Sequence, residues 1–173
     1  MFRPSAAVLI GALAVALAAC AGEVAPPEQP TFYRSMASPV AELDGAAAAS
    51  MISGYRRNNG LGVVTLDPAL MQMAQVQAQA MAARDKVDSD AKGAFAKRMK
   101  AAGFDAKVSV ENISAGYHTL AEAFSGWRDS PPHRANMLKA GVSRIGIAAV
   151  YTANSKYKVF WALILAAPED GKG

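Results

Sequence analysis

Between Glu111 and Leu138 the chain reads ENISAGYHTLAEAFSGWRDSPPHRANML, and no other stretch limits its possible folds as strongly. Val108 to Ile113 alternates apolar and polar residues, the pattern of a half-buried strand, and places Glu111 on it. Thr119 then opens a helix that turns Leu120, Phe124 and Trp127 to one face. Ser130-Pro131 opens a second, shorter helix running to about Lys139, with His133 in its first turn. A strand carrying an acid and a helix start carrying a histidine are thus joined by one amphipathic helix.

The rest of the chain supplies partners for these elements. Glu42 to Arg57 reads as a helix stopped by Asn58-Asn59-Gly60, residues that tolerate the left-handed conformation. Asp67 is an N-cap and Pro68 fits the first helical position. Leu70, Met73, Ala74, Gln77, Ala80 and Met81 follow with helical spacing, while Gln72, Gln75 and Gln79 share another face. Ala91 to Ala102 predicts a third helix, stopped by Gly103. Arg144 to Tyr151 and Tyr157 to Ala166 predict two strands joined by a turn at Thr152 to Ser155, with Val159, Trp161 and Ile164 in the sheet core. Helices flanking a small sheet without regular βαβ alternation point to an α+β fold. No internal repeat is visible.

The first residues carry a different signal. Arg3 precedes an apolar run from Ala6 to Ala19, shorter than the roughly 20 residues that span a bilayer and suited to a secretory leader. Leu17-Ala18-Ala19-Cys20 looks like a lipobox, in which the chain is cut before Cys20 and the thiol is lipidated. Cys20 is the only cysteine, so no intramolecular disulfide can form; the alternative is a buried structural cysteine. Acyl chains at Cys20 would anchor the chain to a membrane. With Ala21 rather than aspartate after Cys20, a Gram-negative host implies an outer-membrane anchor facing the periplasm, and a Gram-positive host implies the cell surface. Pro26, Pro27, Pro30 and Pro39 favour an extended tether. The expected organisation is therefore a leader over 1–19, a lipidated cysteine and tether over 20–40, one domain over 41–168 and a polar tail over 169–173. Of the 18 Lys+Arg only Arg3 lies in the leader, so the remainder is formally +3 against 14 Asp+Glu. That dispersed charge, with no basic-aromatic interleaving and no phosphate loop, argues against nucleic acid as a partner.

Taken together, E-N-I, then G-Y, then the tryptophan, then S-P-P-H-R-x-N, with the upstream segment Met51 to Asp85, resemble the CAP superfamily of cysteine-rich secretory, antigen-five and pathogenesis-related proteins, in its compact bacterial form. The resemblance covers about 46–168. It implies a single-domain α-β-α sandwich, consistent with the element order above. It also implies a cleft that in many members holds two histidines and two acids, and in some a divalent metal.

Each of those positions can be matched here. His133 corresponds to the histidine of the S-P-x-H-R-x-N motif. In the first turn of a helix, free N–H groups and the helix dipole disfavour its protonated form. A neutral imidazole can ligate a metal or accept a proton; the alternative is a histidine bonded to a neighbouring loop. Glu111 corresponds to the acid of E-N-I. It could stand beside His133, orienting the ring and binding a cation, or be a structural carboxylate tied to backbone amides or to an arginine such as Arg56. Asn112 fits a role in fixing local backbone. Where relatives commonly carry the first histidine, this chain has Ser89, flanked by Asp88 and Asp90. A hydroxyl is a poor zinc ligand beside imidazole, and an aspartate there would favour harder cations. Any metal would fall to His133 and Glu111, and no cofactor is expected. Glu122 reads as the partner in a capping box with Thr119 rather than as the second acid. His118 lies outside the motifs and reads as a loop histidine. Ser89, Ser114 and Ser130 lack the G-x-S-x-G elbow of a serine nucleophile, and Ser130 suits an N-cap.

Three functions follow. The first is a tethered binding module whose cleft, including Ser89, Glu111 and His133, holds a lipid or a cell-wall component. The second is a hydrolase in which Glu111 and His133 activate water, with or without a metal. The third is an interaction or structural role. The binding module accounts best for a serine at position 89.

Overall fold

The computed structural model describes residues 29–91 and 93–169. The expected leader, Cys20 and, apart from Glu169, the expected polar tail over 169–173 lie outside the described residues. In chain order the elements are a 3-10 turn (Thr31–Tyr33), α1 (Gly45–Asn58), β1 (Thr65–Leu66), α2 (Pro68–Arg84), α3 (Phe95–Ala101), β2 (Ala106–Ala115), α4 (Leu120–Asp129), α5 (Pro131–Met137), β3 (Arg144–Tyr151) and β4 (Val159–Pro168).

The four strands form one sheet in the order β1-β3-β4-β2. β1 is parallel to β3, and the other pairs are antiparallel. β4 is central and buried on both faces, so its residues sort by period two. Trp161, Leu163 and Leu165 join Ile52, Leu120, Trp127 and Met137 in the layer formed with α1, α4 and α5. Phe160, Ala162, Ile164 and Ala166 join Leu70, Ala74, Met81 and Met99 in the layer formed with α2 and α3. The result is a three-layer α-β-α sandwich in an α+β fold, the class that the element order predicts and the layering that the family resemblance implies.

Local signals place most boundaries. The Asp67 carboxylate accepts from the amides of Ala69 and Leu70 at 2.9 and 3.1 Å, fixing the start of α2. Thr119 and Glu122 form the reciprocal capping box that opens α4. α1 starts at Gly45, three residues later than its pattern suggests, because Asp44 is the cap: its carboxylate accepts from Ala47 N at 2.9 Å and from Thr31 Oγ1 at 2.8 Å. The helix ends where expected, with Gly60 at φ +74°.

Three expectations shift. The helix expected from Ala91 begins only at Phe95, because the carbonyls of Asp88, Ser89 and Gly93 face inward, toward Gln77 and Arg98. α5 stops at Met137, two residues short of Lys139, where Arg56 takes the carbonyls of Met137 and Lys139 at 2.8 and 2.9 Å. The tether expected over 20–40 is not free along its described part. Met36 is 4% exposed within the core, and its amide donates to His118 O at 2.6 Å. One apolar side chain anchors a segment whose prolines suggested an extended spacer.

Candidate functional site

β2 is an edge strand whose two faces lead to different layers. Asn112 pairs with Leu163 and Glu111 with Ile164, so their side chains leave the sheet on opposite sides. On one side Asn112 meets α5: its Nδ2 donates to the carbonyl of His133 at 2.9 Å. Asn136, one turn beyond His133, returns two hydrogen bonds of 2.9 Å, to the Asn112 side-chain oxygen and the Glu111 carbonyl. The E-N-I and H-R-x-N segments are therefore interlocked by their asparagines.

On the other side Glu111 meets Arg98. The guanidinium Nη2 lies 3.0 and 2.8 Å from the two carboxylate oxygens, and the paired side chains are only 8% and 6% exposed. The same nitrogen donates to Ser89 O at 3.1 Å, and Nε donates to Gly93 O at 3.0 Å. Gln77, fully buried on α2, donates through Nε2 to the carbonyls of Asp88 and Ser89 at 2.7 and 3.3 Å. Arg98 also stacks over Phe95, 5.3 Å from the ring centroid. Burial pushes the Glu111 carboxyl above its ordinary range, while Arg98 pulls in the opposite direction and Asp90 adds a further upward push.

His133 is half-buried, and burial lowers its pKa below 6.5. Burial thus favours the neutral imidazole, the same direction as the sequence reading but from a different cause than the helix start. Among the described residues no hydrogen bond joins the Glu111 carboxylate to the His133 ring. The orienting contact expected between them is replaced by the Arg98 pair, because each strand residue faces one layer only. Arg56 is not the partner of Glu111 either. It is 1% exposed and donates to the carbonyls of Gly62, Met137, Lys139 and Val142, pinning α1 to the chain that follows α5.

Ser89 is exposed and offers the site its carbonyl. The Asp88 carboxylate lies 3.8 and 3.9 Å from Arg84 and Lys86 and accepts from Asp90 N. Glu122 accepts from the amides of His118 and Thr119 and His118 is exposed, so both belong to the α4 cap. Ser114 accepts from the Trp127 indole at 3.1 Å. Ser130 occupies the N-cap position of α5 without a side-chain capping bond.

The donor set does not fit a divalent metal. Both oxygens of Glu111 are held by a cation already, and among the described residues no three His, Cys, Asp or Glu side chains converge to hold one. Arg98 itself was not among the sequence candidates. Its signal was a single arginine on a lysine-bearing helix with Phe95 three residues before and Ala102 four after, an apolar neighbourhood on the same helical face. Beside it, a groove of about 380 Å³ runs between α2 and α3, lined mainly by Ala69, Met73, Val76, Ala101 and Ala102.

The family model for CAP, the cysteine-rich secretory protein family, matches residues 49–165. The chain is 28% identical over 141 residues to YkwD of Bacillus subtilis (strain 168), itself uncharacterized; the match spans 74% of this chain and 55% of that relative, about half its length. An extracellular protein of Bacillus anthracis containing an SCP domain shares the fold with a TM-score of 0.61 at 19% identity, over 70% of this chain and 39% of the other. An outer surface protein of Borrelia burgdorferi does so with a TM-score of 0.64 at 17% identity, over 73% and 93%.

Proposed function

This chain belongs to the CAP family of cysteine-rich secretory proteins, and from that premise we propose that it is a cell-envelope binding module, held to the membrane through a lipidated Cys20. Its ligand in this reading is a lipid or a cell-wall component. The observation that carries the reading is the closed Arg98–Glu111 pair. A general base must come within reach of the proton it takes, and the Glu111 side chain is only 6% exposed. Both Glu111 oxygens are committed to Arg98, which leaves His133 without that carboxylate to orient it. The arrangement supports holding a ligand rather than activating water. Ser89 and His133 are the ligand-facing candidates, with Glu111 as a positioning residue.

The groove between α2 and α3 falls within the usual volume range of ligand sites and would suit the apolar part of a lipid. Relatives described as an outer surface protein and an extracellular protein support a place outside the cytoplasm. Among the described residues no helix is long and apolar enough to cross a membrane, so in this reading the anchor is Cys20.

Two measurements test the proposal. Labelled palmitate should enter the wild-type chain in cells and not Cys20→Ser. Purified protein should bind envelope lipids or muropeptides saturably, and show no ester, peptide or glycan turnover. Turnover that disappears in both Glu111→Gln and His133→Ala would replace this reading with a hydrolase.

A further inference from the structure

Two of the three guanidinium nitrogens of Arg98, Nε and Nη2, face oxygen, while Nη1 is buried without a hydrogen-bond partner among the described residues. Two oxygens come from the Glu111 carboxylate, one from the Ser89 carbonyl and one from the Gly93 carbonyl, all within 2.8–3.1 Å of these nitrogens. Gln77 holds the same turn from the other side through the carbonyls of Asp88 and Ser89. A carboxylate that presents both oxygens, together with backbone carbonyls from a short turn, is the donor chemistry that hard divalent cations select. Here one covalently supplied cation takes all four.

We infer that the carbonyls of Ser89 and Gly93 and the carboxylate of Glu111 form an oxygen cradle for a cation, and that Arg98 is its permanent occupant. The cleft is then independent of metal by construction, and it becomes a calcium- or magnesium-type site only when the guanidinium is removed. This differs from an ordinary buried salt bridge. A salt bridge needs only Glu111, whereas the cradle also aims two carbonyls at the same positive group. Arg98 is a positioning residue in this account, holding the Ser89 turn against β2. The cradle is present whether or not the cleft binds an envelope ligand.

Thermal unfolding of the full-length protein, in chelator and in millimolar Ca²⁺, Mg²⁺ or Zn²⁺, tests it. Wild type should melt at one temperature in all four conditions. Arg98→Met should melt many degrees lower, since a buried carboxylate loses its partner, and should recover part of that loss in Ca²⁺ or Mg²⁺. Arg98→Lys retains the charge and should stay insensitive to cations. Arg98→Met/Glu111→Leu should lose the cation response, which separates the cradle from general salt effects. If Arg98→Met is too unstable to fold in chelator, recovery of its folded circular-dichroism signal by Ca²⁺ or Mg²⁺ supports the cradle. Failure of both ions to restore it overturns the inference. So does an Arg98→Met protein that folds, is destabilised, and ignores every cation; the pair is then a plain salt bridge. A wild-type melting temperature that rises with any of these ions and stops doing so in Glu111→Gln also overturns it.

Discussion

Asn136 donates its side-chain amide to Asn112 Oδ1 at 2.9 Å, one of three hydrogen bonds that couple the edge strand to the helix that carries His133. Asn112 is 1% exposed, so its oxygen has no ready replacement from solvent. The same Asn136 amide caps the Glu111 carbonyl. Asn136→Ala removes both bonds and leaves a buried acceptor unpaired, which costs about 2 kcal/mol. Urea denaturation should show a lower midpoint with an unchanged slope, because the native surface is otherwise the same. A midpoint equal to wild type would mean that the two Asn136 bonds add no net stability beyond packing and the remaining Asn112–His133 bond.

Gly146 lies on β3 where the first turn of α2 crosses the sheet. A Cβ there would overlap the Leu70 carbonyl carbon and oxygen and the Met71 amide. These are backbone atoms of a helix fixed by the Asp67 cap, so no side chain can swing aside to make room. Gly146→Ala should therefore cost roughly 3 kcal/mol, at the upper end for overpacking. Gly54 on α1, where an added Cβ meets nothing within 4 Å, is the matched control. Gly54→Ala should be neutral or slightly stabilising through helix propensity, so the sign of the melting-temperature change should differ between the two.

The same contrast between local and remote causes explains what the sequence revealed. The α2 cap, the α4 capping box, the amphipathic spacing of Leu120 and Trp127, and the central strand around Trp161 are encoded within a few residues, and each is legible. Glu111, Asn112 and His133 are legible as motif residues. Their pairings are not. Arg98 sits 13 positions before Glu111, in a helix whose lysines suggest a solvated face, and only the fold brings the two together. The inward-facing backbone at Asp88, Ser89 and Gly93 is hidden for a related reason. Its carbonyls are satisfied by Arg98 and Gln77 from other elements, while its own sequence continues smoothly into a helical pattern.

The pH dependence of stability should carry the signature of His133. Burial places its folded-state pKa below the ordinary 6.5. A group with a depressed folded pKa contributes stability that is complete above the unfolded value and is lost as pH falls through the folded value. Between about pH 7.5 and pH 5, wild type should thus lose more stability than His133→Gln, which cannot titrate there. Near pH 7.5 the gap between the two proteins should be constant. Carboxylates common to both cancel in the comparison, so parallel curves across the whole range would mean that His133 is solvated alike in the folded and unfolded chains.

Placing a histidine at position 89 should not by itself create a metal site. Ser89 is exposed, and the carbonyl it gives to Arg98 and Gln77 is backbone, so Ser89→His leaves both contacts in place. Glu111 stays engaged by the guanidinium at 2.8 and 3.0 Å. The new imidazole and His133 would supply two nitrogens at most, short of the three or four protein ligands that zinc sites use. Calorimetric titration of Ser89→His with Zn²⁺ should match wild type. Ser89→His/Arg98→Met, which frees the carboxylate, should bind Zn²⁺ more tightly than either single variant. Tight zinc binding by Ser89→His alone would show that Arg98 yields Glu111 without resistance. The serine at position 89, rather than the resident arginine, would then be what limits zinc binding in this cleft.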